Sequence, residues 1–479
     1  MGLRRDAIGL REVLFQSITD MAPGAAIAAS IPAGVAFAAG SLPLAVVFPL
    51  IACLFCAWSI GQLAREMPSA GSLATYAARG LHPSVGFLVA WGYVLVGFLI
   101  PPLVLLQLGF TTAGTLNAEI SGYPANLWWP WSLLGAVIVL AAGFYGIRTS
   151  ARLGTVLGVF EIGVFVVLAI FLLFHAGSAN TLTVFTTKYT PSAYHGIAGV
   201  IGGSVYTILA FGGFEGAAPL AEEAKNPRRT IPRAIVLATL LIGLLYVFTT
   251  YAVDVAYGPA KFGTFSTTGP NSWEGLARSL YGLFWFFVFL AIVNSTIANA
   301  NAGVSVSSRT AYAMGRIGAF PRFLAQVHPK QRSPVMAILT GFVITVAVTL
   351  GLGLGYDPIT AFIMVATALV IVLVAIYILM NAACIGYFAR RGRDFKVVSH
   401  LVIPILGIVT FVPAWLTSAG LKVFSFVARL SPPYSYMGPG VGGFMIIGVI
   451  YLIYLYQHDP QRIVEVGTVH LDPLEEYQA

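Results

Sequence analysis

The sequence predicts an all-α integral membrane protein with about 12 transmembrane helices, helices one and six being discontinuous. Three observations carry that prediction. Hydrophobic residues make up 58% of the 479 and charged residues only 9%, where a soluble domain carries about 25% charged residues. Only lipid solvates that much apolar surface. Apolar runs of membrane-crossing length, which a hydrocarbon core about 30 Å thick requires, centre near residues 27, 54, 98, 138, 165, 207, 244, 292, 345, 371, 409 and 448. Two of these runs contain prolines, glycines and lone carboxylates that an ordinary spanning helix would exclude.

Helix one, near SITDMAPGAAIAASIPAG, is interrupted by Pro23 and Gly24 and again by Pro32 and Gly34. A kinked helix packing through small residues is one reading; a binding site at a helix break is the other. Helix two contains Cys53 and Cys56 as a C-x-x-C inside an apolar run, and Cys384 lies near the end of helix ten. Packing explains all three better than redox or metal chemistry. The polar stretches between helices are His175 to His195, Tyr257 to Arg278 and the tail from Gln457, so the chain reads as a single membrane domain over 1–457, with a cytoplasmic tail at 458–479.

Helix six runs into FGGFEGAAPLAEEAKNPRRTIPR, Phe211 to Arg233. Adjacent glycines favour local unwinding. Glu215 is costly in hydrocarbon unless it faces a cavity or a partner, and irregular backbone at membrane depth persists only where protein or water satisfies it. Paired interruptions in corresponding positions of two halves point to an inverted-repeat transporter site at the bilayer midplane. The repeats would be 12–175 and 196–390, with two appended helices at 398–457.

Basic residues set the orientation, because Lys and Arg are retained on the cytoplasmic face. With the N-terminus inside, 21 of the 26 Lys and Arg fall on inner segments, and the other five are Lys188, Lys261, Arg278, Lys422 and Arg429. Both termini are predicted cytoplasmic in a multi-pass cell-membrane protein. The formal charge of +8 is therefore a topology signal facing anionic lipid, and no nucleic-acid partner is expected. The start could be taken for a signal peptide, but Glu12 and Asp20 interrupt the approach, and removing helix one would spoil the even count.

The Phe211 to Arg233 stretch resembles the sixth helix and following loop of the amino acid, polyamine and organocation (APC) superfamily of transporters. MPSAGSLATYAARGL at Met67 to Leu81 resembles that family's loop after helix two. SSRTAYAMGRIGAFPRFLAQVHPKQRSPVMA at Ser307 to Ala337 resembles the loop after helix eight. The resemblance implies a LeuT-like fold of five plus five helices in inverted repeat, followed by two more. It implies secondary transport by alternating access, with an aromatic gate at Phe211 and a glutamate, Glu215, that some members use for protonation. The fifth helix, GIRTSARLGTVLGVFE, departs from the family: Glu161 stands where a lysine is frequent.

The physics of a broken helix supplies candidate contacts. Amides at the start of the second half of helix one, Gly24, Ala25 and Ala26, suit a substrate carboxylate. Carbonyls around Ala210, Phe211, Gly212 and Gly213 suit an ammonium group. Burial disfavours a carboxylate anion, which makes Glu215, Glu161 and Asp20 candidates for proton coupling. For Glu161 the readings are a proton carrier, a counter-ion for a cationic substrate, part of a cation site, or a neutral stitch between helices; for Asp20, a coupling carboxylate or a helix cap. Gln107, Asn294, Asn299 and Asn301 tie helices together or line the cavity, while Asp254 and Asp357 fall near outer helix ends and are expected to be solvated.

The expected function is transport of amino acids, with proton symport first and exchange of an amino acid or polyamine as the alternative. Two carboxylates in a pocket without Lys or Arg would equally attract a polyamine or basic amino acid. A channel or a sensor on the same fold is the rival class, though no repeated filter sequence is present. No enzyme motif such as HExxH or GxSxG occurs, and neither a cofactor nor a metal is expected.

Overall fold

The computed structural model describes residues 8–465, apart from positions 70, 146–149, 267–271, 317, 319, 329–332, 393, 425–426 and 428–429. Arg429 and the tail beyond 465 lie outside the described residues. The main helices are α1 (Leu10–Met21), α2 (Leu42–Glu66), α3 (Pro83–Glu119), α4 (Trp129–Tyr145), α5 (Ser150–Ala176) and α6 (Ile197–Leu209). They continue with α7 (Pro227–Tyr257), α8 (Phe284–Arg316), α9 (Val335–Gly355), α10 (Pro358–Arg391), α11 (Ile403–Ser418) and α12 (Met437–His458). Among the described residues ten helices are long and apolar enough to cross a membrane. The run Trp129–Phe144 is apolar but shorter, and residues 10–41 form a succession of short helical pieces.

Proline placement explains much of that fragmentation. Pro23 opens the turn Pro23–Ala25 and Pro32 the turn Pro32–Gly34, with a wider π turn, Ala26–Ser30, between them. A proline lacks the amide that would bond four residues back and clashes with that carbonyl, so each restarts the helix instead of continuing it.

Burial ranks the helices by depth. In the most apolar stretch of α10, 78% of residues are buried within the protein, against 22% for α12; α10 is central and α12 peripheral. The segment Ser72–Gly80 crosses α10 at very short range, since a Cβ on Gly80 would lie 2.5 Å from the Ala383 carbonyl oxygen and one on Gly386 only 2.3 Å from that of Gly80. Gly80→Val is therefore expected to lower the melting temperature of the detergent-solubilised protein, at an overpacking cost of about 1–3 kcal/mol. An unchanged melt would show that these two segments can separate freely.

The end of α3 is clasped to the short helix Trp273–Tyr281. Thr115 donates to Glu274 at 2.5 Å, and Arg278 pairs with Glu119. Asp357 is exposed and caps α10, accepting from the amides of Ile359 and Thr360. Asp254 differs from its expected solvation: it is fully buried. The chain after Gly258 folds back, and Phe262 and Phe265 pack on Tyr257 at that helix end. At the opposite end of α7, Ile8 pairs backbone to backbone with the loop around Ala224, through Ile8 N–H to Glu223 O and Lys225 N–H to Ile8 O.

Candidate functional site

α1 stops at Met21 because Pro23 follows two residues later, and Ala22 takes a left-handed conformation (φ 46°). A non-glycine residue there costs roughly 1–2 kcal/mol, so the surroundings must hold it. They do so through the carbonyls that the break frees. Asn299 of α8 donates to Asp20 O at 2.6 Å, Tyr246 of α7 to Met21 O at 3.0 Å, and Gln107 of α3 to Ala25 O at 2.9 Å. Three different helices thus satisfy one interruption, as backbone at membrane depth demands.

α6 stops at Leu209, and residues 210–213 form a turn before a tighter 3₁₀ stretch, Phe214–Glu222. Gly213 has φ 107°, a conformation that L side chains rarely adopt. It also sits against α1: a Cβ on Gly213 would lie 2.6 Å from the Asp20 carbonyl, and one on Gly216 1.8 Å from Asp20 Oδ2. The two breaks therefore touch, glycine face to aspartate. Ser17 fastens them further, donating to Phe214 O and accepting from the Ala217 amide, both at 3.0 Å.

A cavity opens between the breaks. Its walls include Asp20, Ala25 and Ala26 from the first break, and Ala210, Gly212, Gly213 and Glu215 from the second. α3, α8 and α10 complete it with Tyr93, Gln107, Asn299 and aliphatic side chains such as Ile100, Leu103 and Leu373. No Lys, Arg or His lines it. Glu215 is buried, accepting from the Tyr377 hydroxyl at 2.8 Å and the Gly213 amide at 3.2 Å, with the Tyr93 hydroxyl bonded to the same carboxyl. Asp20 accepts from Gln16 Nε2 at 3.0 Å. No group of three metal-ligating side chains occurs among the described residues.

Three candidate residues lie outside the cavity wall. Gly24 packs against α8, where an added Cβ would meet the Ala291 carbonyl and Ser295 Cβ, each at 3.1 Å. Glu161 is buried behind that turn, accepting from Asn294 Nδ2 at 3.0 Å and from the Gly24 amide. Phe211 is buried edge-on against Tyr246, with ring centroids 5.4 Å apart, and so braces the tyrosine that holds Met21 O. Ser17, Tyr93, Tyr246 and Tyr377 are the site residues that sequence reasoning did not single out. A buried tyrosine hydroxyl needs a partner, and that need is the one sequence signal pointing to the three tyrosines.

The arrangement gives Glu161 a two-variant test. Glu161→Gln keeps an acceptor for the Gly24 amide and is expected to melt like the wild type. Glu161→Leu strands buried donors, at about 1–3 kcal/mol for an unsatisfied group, and should melt lower. Normal melting with lost transport in Glu161→Gln would assign a role to the charge itself.

Comparison with known proteins agrees with this architecture. The profile of the amino acid permease family matches residues 8–456. The low-affinity putrescine importer PlaP of Escherichia coli (strain K12) is 30% identical over 392 residues, covering 79% of this chain and 81% of that protein. The branched-chain amino acid permease BcaP of Bacillus subtilis (strain 168) is 26% identical over 399 residues, 78% of this chain and 80% of the relative. The histidine permease HisP of Lactococcus lactis subsp. cremoris (strain MG1363) is 27% identical over 314 residues, 63% of each chain. With a match spanning nearly the whole sequence and an all-helical membrane architecture around paired helix breaks, this chain belongs to the amino acid permease family, a family of transporters and not of enzymes.

Proposed function

We propose that this protein is a secondary transporter in the cell membrane that moves an amino acid or a related amine by alternating access, coupled to protons. The observation that carries this reading is a cavity between two helix breaks that holds the carboxylates of Asp20 and Glu215 and no basic side chain. Such a site attracts an ammonium group. The relatives' names support the same common denominator, since putrescine, branched-chain amino acids and histidine all carry an amine.

In this reading Ala25, Ala26, Ala210, Gly212 and Gly213 contact the solute, while Gly24 and Phe211 support them from behind. Glu215 carries the coupling proton, taking it up from the outer side as the solute's ammonium group pairs with Asp20 and giving it up to the inner side, so that proton and solute cross together. The Tyr377 hydroxyl, which donates to this carboxyl at 2.8 Å, fixes its orientation in the cavity. Asp20 is the second carboxylate, and Glu161 holds the first break from outside the cavity. The pieces around the breaks move together against a scaffold of α3, α4, α8 and α9, in a five-plus-five inverted repeat with both termini cytoplasmic, the side that the basic residues favour.

Uptake by the purified protein in liposomes tests this, with labelled amino acids and amines and an inward proton gradient, a sodium gradient, or neither. Accumulation driven by protons and abolished by a protonophore is the expected result. Uptake only into preloaded vesicles would instead make the protein an exchanger. Binding without uptake would make it a sensor, and unitary currents a channel.

A further inference from the structure

We propose that Glu274 is a proton-binding site at the outer rim, separate from the solute cavity, and that the proton it binds fastens the end of α3 to the short helix Trp273–Tyr281. The inference goes beyond the reading of the cavity and does not depend on what the cavity carries.

This rim lies at the end of α7 remote from the amino-terminal arm, where Tyr257 packs on Phe265 and Phe265 on Trp273. It is the outer face in the orientation proposed above. The Thr115 hydroxyl of α3 stands there between two oxygens, 2.8 Å from Thr111 O and 2.5 Å from Glu274 Oε2. A hydroxyl has one hydrogen to donate. If Glu274 is an anion, it competes with Thr111 O for that hydrogen, and the loser faces another oxygen lone pair at contact distance. If Glu274 is protonated, it donates to Thr115 Oγ1, which donates in turn to Thr111 O, and both short contacts are hydrogen bonds. The acid completes a chain that the anion leaves broken.

No cation removes the need for that proton. Arg278 stands four residues from Glu274, where an i, i+4 pair would be ordinary; it pairs instead with Glu119 of α3 and lies over the Trp285 ring, 4.7 Å from its centroid. Tyr281 donates to Phe171 O at 2.7 Å. α5 meets the short helix through Phe165 and Phe171 and has no titratable residue between Glu161 and His175, and α8 has none before Arg309. Lys261, on the chain leading to this helix, is exposed. Burial pushes Glu274 up to about 7, with the Thr115 hydroxyl pulling the other way. Opening the clasp returns the carboxyl to water and to its ordinary 4.5. The closed clasp binds the proton more tightly, so it is strongest below pH 4.5, weakens as the pH rises to about 7, and changes no further above that.

The two clasped elements flank the cavity. α3 brings Ile100, Leu103 and Gln107 to its wall. Trp273 packs edge-on against Phe165, whose ring lies 3.4 Å from where a Cβ on Gly24 would stand, behind the first break. Acid outside therefore ties the rim together over the site.

Hydrogen–deuterium exchange of the full chain in nanodiscs tests this, with rates corrected for the intrinsic pH dependence of exchange. Protection of the Trp273–Tyr281 amides should fall at least about tenfold between about pH 5 and about pH 8, since one differentially bound proton allows up to about tenfold per unit within its window. Glu274→Gln, whose amide donates to Thr115 Oγ1 at every pH, should stay protected throughout. Thr115→Val keeps the shape but removes the bridge, and should be less protected than the wild type at acid pH. Infrared difference spectra of wild type against Glu274→Gln should show one carboxylic acid that ionises at about pH 7. A flat wild-type profile overturns the proposal, as does a Glu274→Gln profile that falls with pH or is low throughout, a Thr115→Val profile equal to the wild type's, or ionisation at the ordinary carboxyl value.

Discussion

Glu215→Gln abolishes proton-driven accumulation. Glutamine has the same shape and keeps an oxygen for the Tyr377 hydroxyl, which donates at 2.8 Å, so the variant should fold and melt as the wild type does. What it loses is the ability to take up and release a proton inside the cavity. One proton per solute across a gradient of one pH unit supplies about 1.4 kcal/mol, enough for at most about tenfold accumulation. In liposomes under that gradient the inside-to-outside ratio of labelled solute should therefore fall from about ten to about one. A ratio that stays high in Glu215→Gln would remove this residue from the coupling and turn attention to Asp20.

Among the described glycines of positive φ, Gly213 alone would also drive an added methyl into backbone, so Gly213→Ala should be strongly damaging. The glycine's φ of 107° disfavours any side chain, and a Cβ would sit 2.6 Å from the backbone carbonyl of Asp20. Backbone cannot rotate out of the way as a side chain can. The expected cost combines roughly 1–2 kcal/mol for the backbone conformation with about 1–3 kcal/mol for overpacking. Detergent melting should fall sharply, and ligand binding with it, because the two helix breaks are forced apart. Gly216→Ala makes the informative contrast. Its methyl meets Asp20 Oδ2, the tip of a side chain, so it should melt closer to the wild type while turning the Asp20 carboxylate away from its place. Equal melting of Gly213→Ala and wild type would mean that the contact between the breaks is not tight.

How much of this was legible in the sequence depends on whether a residue's role is local. The interruptions were, since proline and paired glycines act on their own backbone; the first break falls at Ala22, one residue before Pro23, because proline constrains its predecessor. Membrane depth was legible from hydropathy for most helices. Exposure at a helix end was not: Asp254 looked solvated from its position, and the fold-back of Phe262 and Phe265 is a tertiary event that no local pattern announces. The same limit hides Tyr246 and Tyr377, each one of two or more tyrosines in its helix until the crossing geometry brings its hydroxyl to Met21 O or Glu215. Glu161 and Gly24 stood out by residue type, yet which face of the turn they occupy follows only from packing against α8.

The strand-like pairing of Ile8 with the loop around Ala224 uses only main-chain atoms, Ile8 N–H to Glu223 O and Lys225 N–H to Ile8 O. Evolution can therefore rewrite the side chains at these positions without cutting the link between the amino-terminal arm and the segment that follows the second break. A scan of ordinary substitutions at the exposed Lys225 would leave the link in place and so hide its importance. Proline alone, at position 8 or 225, removes a donor and opens the tether.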